Sequence, residues 1–401
     1  MEKPMKPPVF EDMVSSLDAA RVLPAGLADE AREVVALARR FNQEVVRPRA
    51  LSLDRRMHAD PDHMDWDFVN TANEWGLYSL WLPKFFGGGG CNFLTMCLFI
   101  EEVASQCLAM ANLIGVHYLG VGTLSATWNA PLMRRIFSEV AEGEKTGKPC
   151  LISLAVTEPG AGTDAEEVDL MDRGDMTCKV TRTDGGYRVS GTKVFISNGH
   201  LSTWHMLIAY EDLSRPSESI VMLAVKTGTP GFSFGRIERK MGQKACPASE
   251  LIFDDVFVPD ELVAVDIRHH KGISRSARDT AMQIIDYVVS TSRAGVCAFG
   301  AGAARGAFEE ALAFAESTEV DGQLLVNHEW AQCLLAEMVK NVNLARLAYM
   351  ETNYANTVCG MFKHLAAAPL HYASKYTPRA LITRAAPLFG SNAATKWFRK
   401  T

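Results

Sequence analysis

The sequence predicts an α+β protein in which an N-terminal all-α domain precedes a central antiparallel β-barrel or sandwich domain and a C-terminal helical bundle. Across the 401 residues the spacing of apolar side chains changes twice. It is helical up to about residue 150, close to an alternation of two in the middle of the chain, and helical again after about residue 274. No G-x-G-x-x-G motif occurs, which disfavours a Rossmann sheet. The predicted domains are residues 1–150, 151–262 and 275–401.

The first region is predicted to be helical from two amphipathic stretches. From Ala28 to Ala38, and again from Phe93 to Ala111, apolar residues recur at i, i+3, i+4 and i+7. The glycine run from Gly87 to Gly90 lies in a loop between helices, and no Lys-Ser or Lys-Thr pair follows it. These glycines therefore indicate backbone turns rather than phosphate binding.

The central region contains short apolar stretches with polar alternation. Asp184, Gly185 and Gly186 between two of them are typical of a hairpin turn. Short strands joined by tight turns predict antiparallel pairing. The predicted strands are Leu151–Val156, Thr177–Arg182, Tyr187–Ile196, Trp204–Tyr210, Ser219–Lys226 and Leu251–Val258.

The last region is predicted to form long helices. Residues 293–317 are rich in alanine and glycine, and such small side chains allow two helices of a bundle to approach closely. The stretch from Asn327 to Tyr354 is predicted to be the next helix.

The composition is typical of a globular protein that acts in the cytoplasm. Hydrophobic residues make up 48% and charged residues 22% of the chain, and the net charge is −6. This balance favours no nucleic-acid partner. No secretory h-region follows Met1, and no apolar run approaches the ~20 residues that cross a bilayer, so we expect no membrane span. None of the nine cysteines forms a C-x-x-C pair, which predicts reduced core thiols and no metal site.

Two motifs carry the functional information. AVTEPGAGTD begins at Ala155 and GTKVFISNG begins at Gly191, and each is an apolar strand followed by a turn rich in glycine or hydroxyl groups. Strand ends of this kind expose N–H and hydroxyl donors beside an apolar surface. A planar heteroaromatic cofactor needs that combination of donors at its edge and apolar packing on its face.

These motifs resemble the flavin-binding strands of the acyl-CoA dehydrogenase family. Further motifs match in the same order: LPKFFGGGG at Leu82, the Glu101-Glu102 pair, RKMGQKACPASELIFDDVFVP from Arg239, and a helix opening at Arg293. The resemblance covers roughly residues 30 to 345. It implies an FAD-dependent α,β-dehydrogenation of an acyl-CoA thioester to a trans-2-enoyl-CoA, with electrons passed to an electron-transfer flavoprotein. It also implies a homotetramer or homodimer.

The resemblance implies a cofactor site formed by Leu154, Val156, Thr157, Gly162, Thr163, Phe195 and Ser197. In the family the equivalents of Thr157 and Ser197 meet the polar edge of the flavin and its N5 atom. Phe195 takes a position that is commonly tryptophan and packs on the ring. Gly162 and Thr163 would lie at the flavin phosphate and the acyl-CoA. The resemblance further implies that Thr163, Ser290 and Arg293 bind the substrate.

The catalytic base of the family is missing from the expected positions. Most members have a glutamate in a Tyr-Glu-Gly motif near the C-terminus, and this motif does not occur before Thr401. Other members have a glutamate immediately before the arginine matched by Arg293, where this chain has Ser292. Glu158 lies near the flavin motif, but in the family it supports the turn, so the catalytic base stays unassigned.

A second departure follows the helix that opens at Arg293. The family has an arginine and a phenylalanine there that contact the FAD of a neighbouring subunit, whereas this chain has the acidic segment Thr318–Gly322. Negative charge near a pyrophosphate is unfavourable. The change predicts either weaker FAD binding or a different subunit geometry.

The C-terminal region is predicted to be atypical or truncated. The segment Gly360–Thr401 contains Pro369, Pro378 and Pro387, which break the expected helices. A shortened chain and a natively unusual C-terminal region both explain the missing base. Two other functions stay open: a catalytically silent partner subunit, and a flavin monooxygenase or nitroalkane oxidase-like relative.

Overall fold

The computed structural model describes residues 11–17, 23, 25–269 and 276–365. The chain divides into two compact units. The helical unit comprises Met1–Ala50, Asn92–Ala111 and Arg293–Thr401. The sheet unit comprises Leu51–Cys91 and Asn112–Ser292.

The elements follow the predicted order of helices, strands and helices, which confirms the α+β fold class. α-Helices span Ala25–Phe41 (α1), Arg47–Ala59 (α2), Trp66–Glu74 (α3), Phe93–Ala104 (α4), Leu108–Ala126 (α5), Ala130–Thr146 (α6), Thr163–Glu166 (α7), Val168–Met171 (α8), Ala277–Ser317 (α9) and Glu329–Leu365 (α10). Strands span Ile152–Ala155 (β1), Lys179–Thr183 (β2), Gly186–Ser197 (β3), Trp204–Tyr210 (β4), Ile220–Lys226 (β5), Phe232–Ile237 (β6), Ala248–Pro259 (β7), Val263–Asp266 (β8), Glu319–Val320 (β9) and Gln323–Leu324 (β10).

Strands β1 to β8 form one sheet in the sheet unit. Its order is β6-β7-β3-β2-β4-β5-β8, and β1 pairs with β4. The pairing is antiparallel, as predicted, except between β1 and β4 and between β2 and β4. β4 has the predicted bounds, but the prediction missed β6 and β8. Gly235 and Arg236 interrupt the apolar alternation of β6, and β8 has only four residues.

One hydrophobic cluster of the sheet unit forms on one face of the strands. In β5, for example, Val221, Leu223 and Val225 are buried together, as the period of two requires. Leu251 and Phe253 of β7 pack in the same cluster. Each such apolar side chain stabilises the fold by about 1.5–3 kcal/mol relative to an exposed one. This packing fixes the ladder on which the candidate site is built.

The stretch from Phe93 to Ala111, predicted to be helical, is interrupted, because α4 ends at Ala104 and α5 begins at Leu108. At the break, the Ser105 hydroxyl donates to the carbonyl of Glu102 at 2.8 Å. The Arg305 guanidinium donates to the same hydroxyl at 2.8 Å. The hydrogen bond from Ser105 to the preceding turn and the hydrogen bond from Arg305 both lie at the end of α4. Only the hydrogen bond of Ser105 is local enough to be predicted from the sequence.

Close helix packing at the glycines of α9 was predicted and is confirmed. A Cβ atom at Gly302 would overlap the backbone carbonyl of Glu101, and one at Gly306 would overlap the carbonyl of Ser105. Any larger side chain would push α9 away from α4. Glycine is therefore required here for packing rather than for backbone freedom.

A buried charge network lies beside this contact in the helical unit. Arg305 donates to both carboxylate oxygens of Glu102, at 2.8 and 2.9 Å. Arg346 donates to Glu101 at 2.6 Å, and the Tyr349 hydroxyl donates to the same carboxylate at 2.5 Å. Burial alone would raise the pKa of Glu102, but its cationic neighbours outweigh it and lower that pKa to about 2. Glu102 is thus a structural anion.

Among the described residues, α5 is the one helix long and apolar enough to cross a membrane by length and composition. Of its most apolar window, 61% is buried inside the protein, which is the usual position of a core helix. The eight described cysteines are free thiols, and five of them are buried. The described residues contain no group of three or more potential metal ligands.

Candidate functional site

The two sequence motifs meet at the end of β1. The Val194 N–H of β3 donates to the carbonyl of Thr157 at 2.9 Å. The Lys193 ammonium donates to the carbonyl of Val156 at 2.8 Å. Residues that lie almost forty positions apart in sequence therefore form one continuous surface in the sheet unit.

The pairing of β3 with β7 contains two β-bulges, one with its extra residue on β7 and one with its extra residue on β3. Between Val189 and Gly191 the extra residue lies on β7, where Asp255 has a φ of 50°. Between Lys193 and Ile196 the extra residue lies on β3, where Phe195 has a φ of 58°. Such β-bulges redirect a side chain and are frequent beside functional sites.

Phe195 is presented to the surface by its bulge. A bulky residue in the left-handed region is uncommon and costs conformational energy. The ring is nevertheless 56% exposed, so packing against the described residues does not recover that cost. An aromatic face held outward at the expense of backbone strain is a feature that points to a ligand.

Hydrogen-bond donors lie on the strand end next to this ring. Thr157 and Ser197 are half-buried, so each keeps part of its surface accessible. Within the part of the chain that the structure describes, the Thr157 N–H has no hydrogen-bond acceptor. Leu154 is half-buried and Val156 is buried, which makes the floor of this surface apolar. Unpaired donors beside an apolar floor and an aromatic face fit the edge and ring of a flavin.

The turn after β1 is held by Glu158. One carboxylate oxygen lies 2.7 Å from the Lys193 ammonium, and both side chains are fully buried. The other oxygen accepts from the Thr177 N–H at 2.5 Å, the Thr177 hydroxyl at 2.9 Å and the Cys178 N–H at 2.9 Å. Burial raises the pKa of Glu158, but Lys193 and these donors outweigh it and lower the pKa below its ordinary value. A saturated anion of this kind is a poor general base.

Gly162 and Thr163 follow on the same turn. The Glu158 N–H donates to the carbonyl of Ala161 at 2.9 Å and closes the turn. The Gly162 N–H donates to the Asp164 carboxylate at 2.8 Å, and Thr163 is the first residue of α7. Both Gly162 and Thr163 are exposed. Their position leaves them accessible to a ligand.

Two further residues contribute to this site that the sequence motifs did not predict. Lys193 is a fully buried cation in a strand that otherwise alternates ordinarily. Asn198 has a φ of 59° and is also buried, and its side chain donates to the carbonyl of Leu113 at 2.7 Å. Its own N–H donates to the carbonyl of Pro247 at 2.8 Å. The only sequence signal for either was a polar residue inside an apolar strand pattern.

Two of the three expected substrate residues, Ser290 and Arg293, lie on α9, and Thr163 lies on α7. Ser290 and Ser292 belong to the sheet unit, and Arg293 is the first residue of α9 in the helical unit. These three residues of α9 are half-buried. Ser292 has a neutral hydroxyl, so it cannot take the role of a carboxylate base.

The acidic segment Thr318–Gly322 contains a two-residue hairpin turn. β9 and β10 pair antiparallel, with Val320 opposite Gln323. Asp321 and Gly322 between them have φ values of 50° and 78°, as a type I′ turn requires. The segment Gly360–Thr401 lies outside the described residues, apart from the backbone of α10 as far as Leu365.

Three family models match the chain in sequence order. The acyl-CoA dehydrogenase N-terminal domain matches residues 28–144, the middle domain matches residues 153–256, and the C-terminal domain matches residues 282–397. The last match corrects the expectation that the resemblance ends near residue 345. The prolines of the C-terminal segment therefore do not prevent similarity to the family there.

Individual proteins show the same similarity. The short-chain specific acyl-CoA dehydrogenase of Clostridium acetobutylicum is 26% identical over 372 residues, which cover 92% of this chain and 90% of that protein. The butyryl-CoA dehydrogenase of Megasphaera elsdenii has a similar fold, with a TM-score of 0.70, 23% identity, and coverage of 90% of this chain and 88% of the other.

A glutaryl-CoA dehydrogenase of Mycobacterium smegmatis, solved in complex with FADH2, gives a TM-score of 0.67. Its identity is 20%, and the match covers 86% of this chain and 79% of the other. Since all three domain models match in the family's order and relatives of this kind align over most of their length, the chain belongs to the acyl-CoA dehydrogenase family of oxidoreductases.

Proposed function

We propose that this protein binds FAD and dehydrogenates an acyl-CoA thioester between its α and β carbons, giving a trans-2-enoyl-CoA. The observation that carries the proposal is the exposed ring of Phe195, held on a strained backbone, beside the unpaired N–H of Thr157. Family membership supplies the reaction class, and the presence of FADH2 in one related structure supports the cofactor.

The residues of the sheet unit would hold the cofactor. When bound, FAD supplies the hydride acceptor. Thr157 and Ser197 donate hydrogen bonds to its polar edge, and Phe195 packs on its ring. Gly162 and Thr163 lie on the exposed turn, where the Thr163 hydroxyl can meet a phosphate, whereas the Gly162 N–H already donates to Asp164.

The substrate is proposed to be a CoA thioester held in part by Thr163, Ser290 and Arg293. The named relatives differ in their acyl groups and share the CoA thioester. A guanidinium is suited to the phosphate and carbonyl groups of CoA, since its planar fork can donate two parallel hydrogen bonds.

A second candidate function is a catalytically silent, acyl-CoA-binding partner subunit. Ser292 favours it, because a hydroxyl lies at one of the two positions where the family has its base. An active enzyme of this family needs a carboxylate that removes the α-proton. The two candidates therefore agree on binding and differ on turnover.

We also propose an electron-transfer flavoprotein as electron acceptor, a homo-oligomeric state and a cytoplasmic location. On α10 the apolar side chains of Trp330, Leu334, Leu344 and Leu347 are exposed by 48–60%. An apolar stripe of this kind supports self-association. Light scattering at increasing protein concentration tests it, and a monomer at all concentrations would contradict it.

The function is tested by flavin titration followed by anaerobic addition of acyl-CoA thioesters. An acyl-CoA dehydrogenase binds FAD and loses its visible flavin absorbance when substrate is added. A silent partner binds acyl-CoA without this bleaching. In that case Ser292→Glu should introduce slow bleaching, because general-base catalysis contributes about 10²–10⁴-fold to rate. A protein that binds neither FAD nor acyl-CoA would contradict both candidates.

A further inference from the structure

We propose that Lys193 is a positioning residue that strengthens the Thr157 N–H as a donor to FAD and, together with Glu158, holds the two flavin motifs against each other. This inference rests on the proposed FAD binding. It concerns a residue that contacts the backbone of the site from behind rather than the cofactor itself.

The ammonium of Lys193 is completely enclosed. It donates to the Val156 carbonyl at 2.8 Å and to the Glu158 carboxylate at 2.7 Å. It also lies 5.5 Å from the ring centre of Tyr210, over its face. A buried cation is retained only where such partners compensate the lost hydration. Its charge is therefore fixed beside the strand end in the folded protein.

The first contact acts on a peptide group of the site. The Val156 carbonyl and the Thr157 N–H belong to the same amide, so an ammonium that binds the oxygen draws electron density from the nitrogen. Hydrogen bonds polarise one another in this way, and those to charged groups are the stronger ones. Since the Thr157 N–H has no acceptor among the described residues, its enhanced donor strength is available to a ligand.

The second contact joins the two motifs. Lys193 lies on β3 two residues before Phe195, whereas Glu158 lies on the turn immediately after Thr157. Between them, the Val194 N–H donates to the Thr157 carbonyl at 2.9 Å. The ion pair and this hydrogen bond set the distance between the donor of Thr157 and the ring of Phe195.

If Lys193 acts through its charge, it affects the reduction potential of the bound flavin, which packing alone would not do. Reduction adds electron density to the flavin ring, so a stronger donor at its edge stabilises the reduced form more than the oxidised form. Removal of the Lys193 charge should therefore lower the reduction potential of the bound flavin as well as its affinity.

The test compares Lys193→Met with the double variant Lys193→Met/Glu158→Gln, which leaves no buried charge unpaired and keeps the proposal testable if the single variant fails to fold. Arg305→Met is the matched control, because it breaks a buried ion pair of the helical unit. The measurements are FAD affinity, the potential of the bound flavin and the thermal midpoint.

Both Lys193 variants should bind FAD about two- to tenfold more weakly, the net contribution of the one hydrogen bond from Thr157 that they weaken. If the reduced form loses about ten times more affinity than the oxidised form, the two-electron potential falls by about 30 mV. Arg305→Met should lower the thermal midpoint and leave the potential unchanged. An unchanged affinity and potential in the double variant would overturn the proposal.

Hydrogen exchange of the cofactor-free proteins separates this inference from the proposed function. Faster exchange at the Val194 amide in Lys193→Met supports the role of Lys193 in holding the two motifs together, even if the unsubstituted protein binds no FAD. Absence of FAD binding would refute only the proposed function. Unchanged exchange at Val194 would refute the role of Lys193 in holding the motifs together.

Discussion

The Ile152 N–H donates a hydrogen bond of 3.1 Å to Nδ1 of His117, so this imidazole must carry its proton on Nε2. Nε2 lies 2.9 Å from the carbonyl of Tyr78, which accepts that proton. Burial lowers the pKa of His117 to about 4. A neutral histidine therefore connects β1, the first strand of the candidate site, to α5.

Stability should fall as the pH decreases from 6.5 towards 4. In this range the unfolded chain binds a proton at His117 and the folded protein does not, which favours unfolding. His205, bonded to Ser153 at 2.8 Å, adds a second such group, because burial lowers its pKa to about 3. Each contributes a slope of about 1.4 kcal/mol per pH unit in the free energy of unfolding. Urea titrations at several pH values measure it.

The histidine assignment is checked by His117→Gln and His205→Gln. Each substitution should reduce that slope by one proton, and the double variant should reduce it by two. A slope that stays the same in both single variants would mean that these histidines titrate normally in the folded protein.

Phe195→Gly should separate stability from cofactor binding. Glycine relieves the left-handed strain, worth about 1–2 kcal/mol, and loses about 0.5–1 kcal/mol through unfolded-state entropy, so the cofactor-free protein should keep or slightly raise its thermal midpoint. FAD affinity should decrease because the ring is lost. Phe195→Ala keeps the strained backbone and should be less stable than Phe195→Gly. The reverse order would indicate that the bulge is not strained.

Removal of the hydroxyls tests the polar edge of the site. Thr157→Val and Ser197→Ala should each weaken FAD binding by about 0.5–1.5 kcal/mol, the net contribution of one hydrogen bond. Fluorescence titration of FAD measures this change. Ser190→Ala, a substitution on the same strand outside the proposed site, is the control. Equal FAD affinity in the double variant and the unsubstituted protein would remove both residues from the site.

Arg293→Ala should raise the dissociation constant of an acyl-CoA and leave FAD bound. The reason is the loss of a bidentate donor for the CoA portion. Calorimetry with the FAD-loaded protein measures both quantities, and Arg182→Ala, in an exposed ion pair with Asp260, is the control. If Arg293→Ala bound acyl-CoA as tightly as this control, Arg293 would have no role in substrate binding.

Arg305→Met should destabilise the protein by about 3–5 kcal/mol at neutral pH, because Glu102 is left as a buried charge without its main partner. The deficit should shrink as the pH falls through the range in which Glu102 of the variant becomes protonated. The same range costs the unsubstituted protein stability, since its Glu102 has a pKa of about 2 and resists protonation. Arg305→Met/Glu102→Gln should recover part of the loss, and denaturant unfolding compares the three proteins.

The sequence predicted those parts of the fold that depend on local patterns. β4 and the turn at Gly185 follow from alternation and from turn chemistry, and both have the predicted positions. The end of α4 is bonded to Arg305, some two hundred residues away, and the burial of Lys193 depends on Glu158 in the turn after β1. Contacts of this kind are decided by tertiary packing, which neither propensity nor period reports.

At the candidate site, motif similarity predicted a set of residues but not their geometry. Thr157 and Phe195 do lie on adjoining segments. The left-handed backbone of Phe195 could not be predicted, because phenylalanine ordinarily avoids it. The strain is stored by the surrounding ladder and is invisible in the residue's own preferences.

The two bulges of the β3–β7 ladder also constrain how this protein can change over evolutionary time. The extra residue at Asp255 moves the pairing by one position, and the extra residue at Phe195 moves it back. Ser197 is therefore in the same register as Val189, although the segment between them is offset. A deletion of either residue alone would slip the end of β3 by one position and turn its alternating side chains to opposite faces. The two extra residues preserve the register of the end of β3 only when both are present. We therefore expect them to be gained or lost together.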